Sequence, residues 1–464
     1  MSGPKSFVIR TFGCQMNAHD TERLAGLLVA DGMVPATSED TADVIVLNTC
    51  TIRENADNKL YGTLGQLKSL KDLRPHLQIA VGGCMAQKDR EEIIRRAGWV
   101  DVVFGTHNIA SAPSLLRRSE TEGPLVEVLD APDPSVVADM APALNAVREL
   151  PWAAWMTIQT GCNNSCAFCI VPAVRGEEIS RPFDDLITEA TMLAAQGVTE
   201  ITVLGQNVNS YGRDLTKRRP LFAELLRAVG AVEGIERVRF TSPHPKDLRP
   251  ETIAAMAETP AVCNQLHLPM QSGSNEILTA MRRGYTAERY LEKLAAARAS
   301  IDDLAVTSDI IVGFPGETES QFEETLAVVA EAQFDSVYTF IFSPRPGTRA
   351  ASMEDQFLTP EVISDRFKRL CAVVDRAGLL KHEARVGCVE EVLVEGPSRR
   401  APEVISGRTR QGKLVHFQTP PGGLRAGSLA MATVTHGAPH HLLADYVSTV
   451  RGPKHKVRIP LLTS

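Results

Sequence analysis

Three cysteines stand close together in "TGCNNSCAFC", residues Thr160 to Cys169: Cys162, Cys166 and Cys169, with no fourth nearby. A structural zinc site takes four protein ligands, and a bacterial-type ferredoxin run has two-residue gaps and a further cysteine before Pro, so neither pattern fits. Three thiolates on a cube of four irons and four sulfides would leave one iron open to a small molecule. That suits a substrate that has to touch the cluster. A zinc loop or a chance grouping is the alternative reading of the same residues.

Cys14, Cys50 and Cys84 match no local metal motif, but each directly follows a strand-like run, in "FVIRTFGC", "DVIVLNTC" and "LQIAVGGC". Carboxyl ends of parallel strands line one edge of a sheet, where doubly wound folds bind their ligands, so the three could meet. Three unrelated buried thiols are the competing reading. The other three cysteines are expected to be core residues: Cys263 before a strand, Cys371 in the helical "FKRLCAVVDRAG", and Cys388 in a strand of a small β-barrel. Nine cysteines, an odd number, point to metal or thiol chemistry rather than disulfides in a chain expected to be cytoplasmic. That location follows from a start without an apolar signal core and from the absence of any apolar run long enough to span a bilayer.

The elements that must hold these cysteines fall into segments. A length of 464 residues predicts roughly three domains, and 44% hydrophobic with 23% charged residues is a globular composition. Residues 1–118 alternate strand-like and helix-like runs, which predicts a doubly wound parallel sheet. Residues 119–150, rich in Pro, Ala and acidic residues, read as a linker. From 151 to 385 come six strand-then-helix units with strands "WMTIQT", "EITVLG", "RVRFTS", "QLHLPM", "SDIIVG" and "SVYTFIF". Six units make a partial (β/α)6 barrel, two short of closure, with its active site at the strands' carboxyl ends. Residues 386–450, with "VEEVLVEG", "KLVHFQT" and "SLAMATVT", read as a small all-β barrel, and 451–464 as a basic tail. Net charge is −7, but Val386 to Ser464 carry ten Lys and Arg against five Asp and Glu, so that end is the expected first contact for nucleic acid.

The CxxxCxxC loop, with Phe168 before its third cysteine, resembles the signature of the radical S-adenosylmethionine enzymes. The resemblance implies that an open iron binds the amino and carboxylate groups of S-adenosylmethionine, whose reductive cleavage gives a 5′-deoxyadenosyl radical. With "TFGCQMNAHDTERL", "NTCTIRENADNKLYG", "HLPMQSGS" and "SPRPGTRAA", nearly the whole chain is similar to the methylthiotransferases. That family implies two [4Fe-4S] clusters, the second on Cys14, Cys50 and Cys84. It also implies a C-terminal TRAM domain that grips tRNA, and a target at C2 of an isopentenylated adenosine beside the anticodon. A second S-adenosylmethionine, an electron donor such as flavodoxin or ferredoxin, and a sulfur source complete the requirement. Rivals within the family act on threonylcarbamoyladenosine or on a ribosomal-protein aspartate. A rival of another class is a non-catalytic RNA binder holding zinc.

Further site candidates are polar residues in the barrel loops. Gln206 and Asn207 stand where the superfamily often contacts the methionine part of S-adenosylmethionine, and Gln271 and Asp309 are additional cofactor candidates. Glu317 either touches the cofactor or caps the next helix. Arg175, Arg181 and Arg345 lie in mouth loops where tRNA phosphates could arrive. Arg399, Arg400, Arg408, Arg410 and Lys413 form the expected phosphate-tracking surface of the last domain, a solvated face being the alternative.

Overall fold

Apolar runs of six residues make the first unit. In the computed structural model, which describes residues 4–51, 54–131, 147–398 and 400–455, Val44–Thr49 and Gln78–Gly83 are buried along their whole length. That is the pattern of central strands covered on both faces. Among the described residues six parallel strands form this sheet, in the order Val34–Pro35, Ser6–Thr11, Val44–Thr49, Gln78–Gly83, Val102–Phe104, Leu125–Glu127. Alternate side chains go to opposite faces. Val44 and Val46 meet Leu24, Leu28 and Leu115 on one face, while Ile45 and Leu47 meet Leu60, Leu64 and Ile93 on the other. The expected doubly wound domain is therefore present. It runs beyond residue 118, however, because the helix Ala112–Glu122 and the strand Leu125–Glu127 belong to it. Residues 119–122 and 125–127 of the assumed linker thus sit in regular structure, and apolar Leu125 and Val126 pair with the edge of the sheet. Residues 132–146 of that linker lie outside the described residues.

The second unit carries six parallel strands among the described residues: Ala153–Thr157, Glu200–Leu204, Arg237–Phe240, Gln265–His267, Ala305–Val312 and Ser336–Ile341. They form two ladders joined by the bridge Val238 to Val262, where Cys263 N donates to Val238 O at 2.9 Å. The first strand starts earlier than "WMTIQT" suggests. Gln159–Thr160 turns away instead to pair antiparallel with Ile179–Ser180, closing the cysteine loop at its base. Gly161, at φ +77°, makes that turn possible, since a Cβ there would overlap the Glu177 carbonyl.

The last unit is a closed barrel of five described strands: Val389–Pro397, Val404–Arg408, Leu414–Gln418, Leu429–Gly437 and Leu442–Arg451. Two of these escaped the sequence pattern. Val404–Arg408 is five residues with Gly407 inside it, and Leu442–Arg451 buries only part of one face. Arg451, expected in a loose tail, ends that strand and pairs with Glu236; residues 456–464 lie outside the described residues. Cys388 does not lie within a strand: it is exposed, just before Val389, whereas Cys263 is buried as expected and Cys371 is partly buried.

The small barrel docks on the amino ends of the partial barrel's strands, opposite the cysteine loop. Buried Arg237 donates to Arg408 O at 2.9 Å and to Glu391, and Arg239 donates to Thr409 O at 2.8 Å and Arg410 O at 2.9 Å. Arg410 in turn donates to Val262 O at 3.0 Å, and Lys413 pairs with Asp335 at 2.6 Å with both side chains buried. Arg410 and Lys413 were expected on a phosphate surface. They are struts of this seam instead, because the loop that carries them faces the partial barrel.

Candidate active site

Cys14, Cys50 and Cys84 converge at the carboxyl edge of the first sheet. Cys14 starts the helix Gln15–Ala30, Cys50 follows the strand Val44–Thr49, and Cys84 starts the helix Cys84–Asp89. Gly13, at φ +138°, lets Cys14 and Cys50 touch: a Cβ on it would overlap the Cys50 side chain. Asn17 braces the corner by accepting from Cys14 Sγ at 3.3 Å and donating to Thr49 O at 3.0 Å. A hydrogen bond from the Cys50 thiol pulls Cys14 down to about 6, against the opposing effect of burial. Burial pushes Cys84 up, and nearby Arg175 counters it.

The second triad occupies the barrel mouth. Arg283 Nη1 donates to Cys166 Sγ at 3.2 Å, and Asn164 Nδ2 lies 3.6 Å from Cys162 Sγ. Lys246 fixes Asn164 through its Oδ1 at 2.8 Å. Burial raises Cys162, and raises Cys169 to about 12. A cavity of about 610 Å³ opens beside it, lined by Phe168, Cys169, Gln271, Asp309, Phe342 and Arg345 among others. The two triads share a wall, because Ile170 lines this cavity and also packs on Cys84.

Three thiols in each triad are a donor set of the type that holds iron–sulfur clusters. Among the described residues no three or more His, Cys, Asp or Glu are grouped as a single bound ion would require. A buried guanidinium stands against a cysteine of each triad, as a negatively charged cluster in low dielectric needs.

The remaining candidates divide. Gln271, at φ +72°, and Asp309 line the cavity, and the buried Gln271 Oε1 has no partner among the described residues, which leaves an acceptor for a ligand amine. Asn207 is tied to Asp247 at 2.8 Å; Gln206 and Asn207 each keep a buried, unpartnered side-chain oxygen but do not line the cavity. Glu317 is buried against Arg366 at 2.9 Å, and the helix after it is capped by Thr318 and Gln321 instead. Arg175 pairs with Asp20 at 2.7 Å and Arg181 with Glu189 at 2.6 Å, all four side chains buried, so neither guanidinium is presented to a tRNA phosphate. Both were read as mouth residues, but the first unit covers that side of the barrel. Arg345 lines the cavity, Arg400 is exposed, Arg408 pairs with Glu395, and Arg399 lies outside the described residues. Arg283, Asn164 and Asn17 carried no spacing signal that could single them out.

Burial also leaves a pH signature. His244 is held neutral down to about 2 and His19 to about 3, chiefly by burial, whereas an unfolded imidazole titrates near 6.5. Below pH 6.5 the unfolded chain therefore takes up protons that the fold refuses, and stability falls by about 2 kcal/mol per histidine at pH 5. Glu22, raised to about 7 by burial, works in the opposite direction in the same window. His244→Asn keeps the acceptor for Lys246 N, so its loss of Tm between pH 7 and pH 5 should be smaller than that of the wild-type chain by about that one-histidine amount. Equal losses would show that His244 does not carry the effect.

Two family descriptions match the chain: "Uncharacterized protein family UPF0004" over residues 6–105 and "Radical SAM superfamily" over residues 156–329. A tRNA-2-methylthio-N(6)-dimethylallyladenosine synthase of Salinispora arenicola is 53% identical over 96% of this chain and 88% of its own. One of Acidothermus cellulolyticus is 53% identical over 97% and 89%. The chain belongs to the tRNA-2-methylthio-N(6)-dimethylallyladenosine synthase family. Among solved structures the fold is like that of the radical S-adenosylmethionine methyltransferase TsrM from Kitasatospora setae, with a TM-score of 0.57 at 12% identity, covering 82% of this chain and 90% of that one. In this member of the synthase family the parallel-sheet unit and the partial barrel meet at the shared wall just described, and the small closed barrel docks on the opposite rim.

Proposed function

We propose that the chain converts N6-isopentenyladenosine beside the tRNA anticodon into its 2-methylthio derivative, with an iron–sulfur cluster and S-adenosylmethionine as cofactors and a second cluster on the N-terminal triad. The identity of 53% over nearly the full length to synthases of this name carries the reading, and the shared wall between the triads supports it. Cys162, Cys166 and Cys169 would hold the cluster that binds S-adenosylmethionine, and Cys14, Cys50 and Cys84 the one that holds the sulfur to be inserted. Bound there, these groups supply radical activation of an adenine C–H bond that side-chain acid–base chemistry cannot attack.

The chain's own residues do the positioning. Arg283 and Asn164 place donors on thiolate sulfurs, Gln271 and Asp309 offer acceptors to the amino group of S-adenosylmethionine, and Phe168 and Phe342 keep water from the cavity. An electron donor such as flavodoxin or ferredoxin and a sulfur source complete the reaction. Among the described residues no helix is long and apolar enough to cross a membrane.

The assay that tests this reading uses anticodon stem-loops carrying isopentenyladenosine, threonylcarbamoyladenosine or plain adenosine, with reductant and S-adenosylmethionine. A methylthio mass increase on the first alone is expected, with about eight irons per chain; an increase on the second but not the first would overturn it. Tethering by the small barrel is expected to depend on Arg400 and Arg408, which remain at its surface. Alanine at each should weaken stem-loop binding about threefold and reduce the salt slope by about one per contact, with Tm unchanged. Binding that ignores both substitutions would assign the grip elsewhere.

A further inference from the structure

The short helix Val171–Arg175 leaves the cysteine loop of the barrel and enters the first unit. Ile170 and Val174 pack with Cys84 in one buried cluster, and Thr106 Oγ1 donates to Val174 O at 2.7 Å. At its end Arg175, only 5% exposed, donates through Nη2 to Asp20 Oδ2 at 2.7 Å, and Asp20 lies on the helix that Cys14 starts. The same guanidinium lies within electrostatic reach of Cys84 and of Cys14. Arg23 and Arg181 share this pocket with Asp20 and Glu189, so three guanidiniums face two carboxylates. His19 beside them is neutral and adds no charge. Asp20 and Glu189 answer Arg175 and Arg181, so the pocket as a whole keeps one positive charge in excess, and of its guanidiniums Arg175 is within reach of the triad's sulfurs.

A buried surplus cation is costly unless something anionic answers it. We propose that Arg175 is the counter-charge of the Cys14, Cys50 and Cys84 triad, contributed by the barrel unit, so that the N-terminal cluster site is electrostatically complete only when the two units are docked. This inference rests on the reading that the triad holds a second cluster. Arg175 acts as a positioning residue: its charge beside the triad favours the reduced, more negative form of what the triad binds.

The test uses the full chain with Cys162, Cys166 and Cys169 all changed to alanine, so that iron can load only on the N-terminal triad. Iron content, the electron paramagnetic resonance spectrum of the reduced form and the midpoint potential are read, with folding followed by circular dichroism. In this background Arg175→Met should shift the potential to a more negative value or lower iron occupancy, and Arg175→Lys should recover part of the shift. Because Arg175→Met strands Asp20, the double variant Asp20→Asn with Arg175→Met removes the pair as a neutral unit. It should fold and still show the negative shift or the iron loss. A folded double variant with the potential, spectrum and iron content of its background would make Arg175 merely the partner of Asp20 and overturn the inference. A folded background that takes up no iron would instead refute the two-cluster reading, and this inference with it.

Discussion

A Cys166→Ala variant is expected to form neither 5′-deoxyadenosine nor methylthiolated RNA, at least about a thousandfold below the wild-type chain. Groups that only orient a metal ligand cost about 10–100-fold when removed, so loss of a ligand must cost more. Cys166 also takes the hydrogen bond from Arg283 at 3.2 Å, and alanine leaves that buried cation facing no sulfur. The companion variant Cys50→Ala is expected to keep 5′-deoxyadenosine formation and to lose methylthio product to the same extent, because Cys50 lies in the other triad, against Cys14 and beneath Gly13. Liquid chromatography with mass spectrometry of the small-molecule products and of digested RNA measures both. If a folded Cys50→Ala chain loses cleavage as well, the triads do not have separate tasks.

Arg366→Met is expected to lower unfolding stability by about 3–5 kcal/mol, the usual cost of leaving a buried charge without its partner. Arg366 donates to the Glu317 carboxylate and to Glu317 O, both at 2.9 Å, and the two side chains are 5% and 1% exposed. Glu317 in turn accepts from Gly313 N at 3.1 Å, so the pair ties the loop after the fifth barrel strand to the helix Pro360–Glu383. Denaturant unfolding of the reduced chain should show the loss, and Glu317→Gln with Arg366→Met, which removes both charges, should recover most of it. A single variant as stable as wild type would mean that water reaches Glu317.

That pair shows how far the polar residues of this chain could be read in advance. Glu317 was visible as a polar loop residue in "GFPGETE", yet its partner lies on a helix that begins dozens of residues later, and no local pattern connects them. Arg175, Arg181, Arg410 and Lys413 suggested phosphate binding for the same reason. An arginine in a loop has one appearance in sequence whether it meets solvent, RNA or a buried aspartate. Only the docking of the first unit onto the barrel mouth, and of the small barrel onto the opposite rim, decided that these four are engaged by other parts of the protein.

The sequence by itself determined what is carried by local period and spacing: the parallel sheet, the six strand-and-helix units, the Cys162, Cys166 and Cys169 loop, and the placement of Cys14, Cys50 and Cys84 after their strands. Periodicity expresses which face of an element is buried, and a side chain placed at a strand's end keeps that position in any packing of the sheet. Whether the two triads share a wall, which guanidinium answers which sulfur, and which basic residues remain at the surface depended on contacts between units far apart in the chain. Those contacts are set by the shape and charge of whole surfaces meeting, and only the tertiary structure contains them.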